Sequence, residues 1–126
     1  MTRLTSIQNS LRNTVRQEMH FSRKVKFYFI LGKFPQALAE YQEAIRRNPE
    51  VAKYYSNEGT VYIKLMEFPR ARDCFEKALA KDSKYIKAIA KKGDCHFYLK
   101  EYHKALETYE SGLKIDPENE LCKQGV

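Results

Sequence analysis

The sequence predicts an all-α fold of three stacked helix–turn–helix repeats, and three observations carry that prediction. One signature recurs as GKFPQALAEYQEAIRRNP at 32–49, MEFPRARDCFEKALAKDS at 66–83 and KEYHKALETYESGLKIDP at 100–117, its positions 34 residues apart. Within it a small residue and a ring stand four apart, as Ala37 with Tyr41, Ala71 with Phe75 and Ala105 with Tyr109. Each segment then closes on Pro49, Ser83 or Pro117. Self-similarity at a period of this size marks an array whose units bury their apolar faces against one another.

Each element follows from its residues. Residues 1–17 read as a basic amphipathic extension, with Leu4, Ile7, Leu11, Val15 and then Met19 at three- and four-residue spacing. The repeats are placed at 18–51, 52–85 and 86–119, each a pair of helices. Small residues at 37, 71 and 105 let two antiparallel helices approach, and the ring four residues later fills the gap on the same face. Ala44, Ala78 and Gly112 also align. Gly59 and Gly93 remove a side chain where neighbouring helices would collide. The closing prolines end the second helices, since proline cannot donate to the helix ladder. Repeat one departs from this pattern: Val25 holds the glycine position, and Lys24 and Lys26 flank it. Residues 120–126 begin a capping helix, and their early stop reads as the edge of a longer protein. The weakened pattern also raises the expectation that residues 1–31 derive from a different segment, such as an alternative exon.

Composition narrows the function. With 43% hydrophobic and 31% charged residues in 126, the chain is one globular domain. No apolar run approaches the ~20 residues that cross a bilayer. Cys74, Cys95 and Cys122 lie far apart with no CxxC pair, which predicts buried, reduced thiols and a cytoplasmic setting. Of the net charge of +7, residues 1–33 supply most, with seven basic residues and only Glu18 as acid. No nucleic-acid footprint is spread over the repeats. The Arg-, Ser- and Thr-rich start has the composition of a mitochondrial presequence or a membrane-surface helix, as well as of a plain leading helix.

No catalytic residues, metal ligands or cofactor motifs emerge. His20, His96 and His103 form no metal-spaced cluster, and there is no GxSxG or glycine-rich phosphate loop. His96 falls in the slot that Tyr62 fills one repeat earlier, which predicts a packed core histidine. What does emerge is a concave groove lined by the first helix of each pair. Its inward positions read as Ser22, Arg23, Lys26 and Phe29 in repeat one, and as Lys53, Ser56, Asn57, Thr60 and Lys64 in repeat two. In repeat three they read as Lys87, Ala90, Lys91 and Asp94. Several cations against one acid attract an acidic partner and hold carboxylates by charge-assisted hydrogen bonds.

The small, aromatic and glycine positions resemble those of the tetratricopeptide repeat (TPR) family from about residue 18 to residue 117. That resemblance implies a right-handed superhelix of three repeats with a partial C-terminal capping helix. The stretches YYSNEGTVYIKLMEF, RDC at 72–74 and YIKAIAKKG further resemble the co-chaperone branch typified by the Hsp-organising protein, Hop. Such domains bind the extreme C-terminus of seventy- or ninety-kilodalton heat-shock chaperones, ending Glu-Glu-Val-Asp, through a five-residue carboxylate clamp. On that pattern Asn57 takes the third-helix asparagine slot and Lys87 the fifth-helix lysine slot. Lys91 stands where the clamp has arginine, keeping the charge without the guanidinium fork. Ser22 stands in the first-helix lysine slot and Lys26 in the asparagine slot, so Lys26 is expected to supply the missing charge. Thr60, Phe97 and Tyr98 are expected to pack the peptide's apolar side chain. The alternatives are a generic scaffold without a clamp and an organelle-targeted repeat protein, and the chain is expected to be a monomer or a helix-exchanged dimer.

Overall fold

The computed structural model describes residues 23–125. Among them all regular structure is helical: α1 (residues 23–30), α2 (Phe34–Arg47), α3 (Ala52–Lys64), α4 (Phe68–Lys81), α5 (Ile86–Tyr98), α6 (Tyr102–Ile115) and α7 (Glu120–Gly125). The all-α expectation holds. The expectations resting on residues 1–22, Ser22 included, lie outside the described residues.

The chain divides into two compact units, Met1–Glu40 and Tyr41–Val126. In the first, Val25 and Ala37 are buried, and Phe29 meets Phe34 edge-on with centroids 5.5 Å apart. Lys24 pairs with Glu40 at 2.8 Å. The turn between α1 and α2 passes through Gly32 at φ +70°, a conformation that costs glycine nothing.

In the second unit, connections of three or four residues fold each helix from α4 onward back on the one before it. α3 packs on α4, α4 on α5 and α5 on α6, and α7 closes against α5 and α6. Ala71, Phe75, Ala78, Ala88 and Cys95 form a fully buried core, flanked by Tyr55, Tyr62 and Leu79. Small residues and rings meet as the repeat implies. A methyl built on Gly59 would stand 2.8 Å from Cζ of Phe75, and one on Gly93 would stand 2.6 Å from Cε1 of Tyr109. The helices stop just short of the closing residues, α2 at Arg47, α4 at Lys81 and α6 at Ile115, with a basic side chain in each last turn. Met66 and Lys100 sit at φ 60° and 63°, one and two repeats beyond Gly32.

The thiols and the histidine follow the sequence. Cys74, Cys95 and Cys122 are free and buried. Burial pushes the Cys74 thiol up to about 12, with the Glu58 carboxylate adding to it, and burial does the same for Cys95, with Asp94 contributing. His96 is 6% exposed, and its Nδ1 lies 3.4 Å from Oε1 of Glu101.

Candidate peptide-binding groove

Two parallel stripes of side chains build the site within the second unit. On α3, Lys53, Asn57, Thr60 and Lys64 follow one another at three- and four-residue steps and so share a face. On α5, Lys87, Lys91, Asp94 and Tyr98 stand at the equivalent positions, 34 residues on. α3 contacts α5, which sets the stripes side by side. Lys53, Lys64 and Lys87 are exposed, whereas Asn57, Thr60, Lys91 and Asp94 are partly buried.

The electrostatics show how closely the cations gather. Lys91 is held below the usual lysine value, first by burial and then by repulsion from Lys87 on its own helix and from Lys64 on α3; Asp94 acts in the opposite sense. Most other cations of this unit's helices have a carboxylate within 4 Å, as Lys81 has Glu50, Lys92 has Glu76 and Arg72 has Glu101. Among the described residues, Lys53, Lys64, Lys87 and Lys91 make no ion pair, and the Asn57 amide makes no hydrogen bond. Three ammonium groups gather here with Asp94 as the acid beside Lys91 and no ion pair closed among them, so the site has room for a further anion.

Some sequence assignments shift. Ser56 and Ala90, expected to line the groove, are 1% and 2% exposed. Each lies a single residue, about 100° of helix, from the groove stripe and turns into the packing between helices. The Ser56 hydroxyl has no hydrogen-bond partner there. Thr60 keeps its place on the stripe, but its hydroxyl donates to the Ser56 carbonyl at 3.1 Å. Lys26 is exposed on α1 in the first unit. Phe97 and Tyr98 are about half exposed: Tyr98 stacks on Phe68 at 4.7 Å, and Phe97 meets Tyr98 and Tyr102 edge-on.

Sequence reasoning missed a cavity of about 260 Å³ at the end of the α5 stripe. Asp94, Phe97, Tyr98 and Tyr109 form one side, and Leu121 and Gln124 of α7 the other. The Tyr109 hydroxyl donates to Oδ1 of Asp94. Burial and this carboxylate together push the phenol well above its usual range. The six residues of α7 carried too short a pattern to show that they would wall a cavity. Among the described residues, no group of three His, Cys, Asp or Glu is arranged to hold a metal, and no helix is long and apolar enough to cross a membrane.

Comparison with known proteins agrees with the fold. A model described as TPR repeat matches residues 26–65, and one described as tetratricopeptide repeat matches residues 86–119. No curated protein matches. Among solved structures, the TPR2B domain of yeast Sti1, in a complex with pHsp70, is 36% identical with a TM-score of 0.74, covering 79% of this chain and 80% of that one. The first TPR of Spaghetti (RPAP3), bound to the HSP90 peptide SRMEEVD, is 25% identical with a TM-score of 0.78, covering 84% of this chain and 86% of that one. The TPR2AB domain of yeast Sti1, in a complex with pHSP90, is 30% identical with a TM-score of 0.75, covering 96% of this chain and 51% of that one.

Proposed function

Because the chain belongs to the tetratricopeptide repeat family, a family of protein-interaction folds, we propose that it is the peptide-holding module of a co-chaperone. Its ligand is the acidic, free C-terminus of a heat-shock chaperone, of the kind found on the Sti1 and RPAP3 domains. The observation that carries this reading is the gathering of Lys64, Lys87 and Lys91, three cations to the single acid Asp94 and none of them in an ion pair, with Asn57 and its unpartnered amide on the adjoining stripe. In this reading Lys87 and Lys91 donate to the terminal carboxylate and the last Asp side chain, and the Asn57 amide donates a further hydrogen bond. Thr60 offers its methyl group to an apolar side chain. Lys91 in place of arginine turns the guanidinium fork into a point charge, less demanding of geometry. Affinity is expected to be on the order of micromolar, about −8 kcal/mol, and to weaken with salt because the ion pairs are exposed. The work is binding, not catalysis, and we assign it to the cytoplasm, a reading that the three buried free thiols support.

Calorimetric titration with a peptide ending Glu-Glu-Val-Asp, as free acid and as C-terminal amide, tests the reading. The acid should bind, the amide should not, and Asn57→Ala or Lys87→Ala should each weaken binding about tenfold or more, the scale of a lost charge-assisted hydrogen bond. Equal binding of acid and amide, or of neither, leaves a scaffold whose partner does not enter by its C-terminus.

A further inference from the structure

The cavity beside the groove differs from the groove in sign. Asp94 is the acid of the α5 stripe, and it is partly buried at the mouth of a space walled by the rings of Phe97, Tyr98 and Tyr109. At about 260 Å³ the space falls below the ~300–1,000 Å³ of sites for drug-sized ligands, and suits one long side chain instead. Tyr109 donates to Oδ1 of Asp94, and Lys91, one turn back on α5, is drawn toward the carboxylate without closing an ion pair, so Oδ2 keeps acceptor capacity for a second cation. Phe97 and Tyr98 expose about half of their surface, so a cation entering here meets ring faces as well as the carboxylate.

We propose that Asp94, Phe97 and Tyr98 form a second subsite that takes a basic side chain of the bound peptide, so that the groove selects C-terminal peptides whose acidic ending is preceded by a lysine or arginine. This inference rests on the carboxylate reading given above and names the sequence class that reading leaves open. The spacing agrees with it. Along α5, Asp94 and Tyr98 lie seven and eleven residues beyond Lys87, about 10 and 16 Å at 1.5 Å per residue, so a peptide residue opposite Tyr98 reaches Asp94 by turning its long side chain back about one helical turn. An extended peptide advances about 3.3 Å per residue, so a side chain five residues before the last one stands about 16 Å from the terminal carboxylate. In SRMEEVD, the peptide found on the RPAP3 domain, that residue is arginine. Carboxylates of the ligand next to the lysines and a cation next to Asp94 fix its direction in the groove, since reversal places like charges together.

The test is titration of the full chain with SRMEEVD and with SQMEEVD, in the unsubstituted protein and in Asp94→Asn. Asparagine keeps an oxygen to accept from Tyr109 and removes the charge alone; far-ultraviolet circular dichroism checks the fold of the variant. The unsubstituted protein is expected to bind SRMEEVD about three- to tenfold more tightly than SQMEEVD, the scale of a partly exposed ion pair with a ring contact. In Asp94→Asn the two peptides are expected to bind alike. Equal affinities in the unsubstituted protein overturn the subsite while leaving the carboxylate reading intact, and that pair of titrations is decisive even where the variant misfolds. An arginine preference that survives in folded Asp94→Asn also overturns it. Binding of neither peptide removes the carboxylate groove and the subsite with it.

Discussion

Gly93→Ala tests the packing that sets α5 and its lysines in place. The new methyl would lie 2.6, 2.8 and 2.9 Å from Cε1, Cδ1 and Cζ of Tyr109, where carbon atoms ordinarily rest about 3.5–4.0 Å apart. The ring is held in place although it borders the cavity at Asp94. It is 3% exposed, its hydroxyl is tied to Asp94, and Gly125 of α7 stands on it so closely that a methyl there would clash with Cζ. Overpacking of this kind costs about 1–3 kcal/mol and belongs here near the upper end. The gain from alanine over glycine inside a helix, about 1 kcal/mol, offsets part of it. The net loss is about 1–2 kcal/mol. For a chain of this length that lowers Tm by about 4–8 °C, read by thermal circular dichroism at 222 nm. Gly59→Ala offers an internal comparison: Phe75 stands a little farther away, at 2.8 to 3.1 Å, and has no hydroxyl tether, so its loss should be smaller. An unchanged or raised Tm in Gly93→Ala would refute the claim that the ring is pinned.

Other expectations follow from the same packing and charges. Lys91→Met should stabilise the fold by about 0.5 kcal/mol, the scale of a like-charged pair four residues apart on a helix, while abolishing peptide binding; a destabilised variant in urea titration contradicts this. Because the folded-state pKa of Lys91 is depressed, the unfolded chain binds more protons, so its contribution to stability rises with pH from that depressed value up to the ordinary 10.5. The urea midpoint of the unsubstituted protein should accordingly climb more steeply than that of Lys91→Met across this alkaline window. Met66→Gly should raise stability by about 0.5–1 kcal/mol, because a side chain 75% exposed gives up little packing while the left-handed φ of 60° is relieved; an unchanged Tm argues that the strain is absent. Cys74 and Cys95, buried and with thiols pushed up to about 12, should react with an alkylating reagent at pH 8 only as fast as the chain opens. Labelling at the rate of a free thiol would mean that their layer is not closed.

Much of the fold is determined by the sequence alone, because a repeat writes each packing requirement three times. Ala71 with Phe75 and Ala105 with Tyr109 specify how close two helices come, Gly59 and Gly93 specify where a ring crosses the next helix, and these are local demands with a fixed period. The lysine stripe was legible for the same reason: Lys87 and Lys91, one turn apart, must share a face of any helix that contains both. The histidine that replaces Tyr62 one repeat later was also legible as a core residue, since His96 inherits the slot and its burial. Tertiary structure decided what periodicity cannot encode. Ser56 and Ala90 sit a single residue off the groove stripe, and only the angle at which α3 and α5 meet their neighbours turns them inward. The neighbourhood of Lys64 and Lys91 joins residues 27 apart in sequence, and the charge they present together depends on α3 lying against α5. The cavity at Asp94 needs α7 to return over Tyr109, a contact between side chains that share no repeat position and therefore leave no pattern to read.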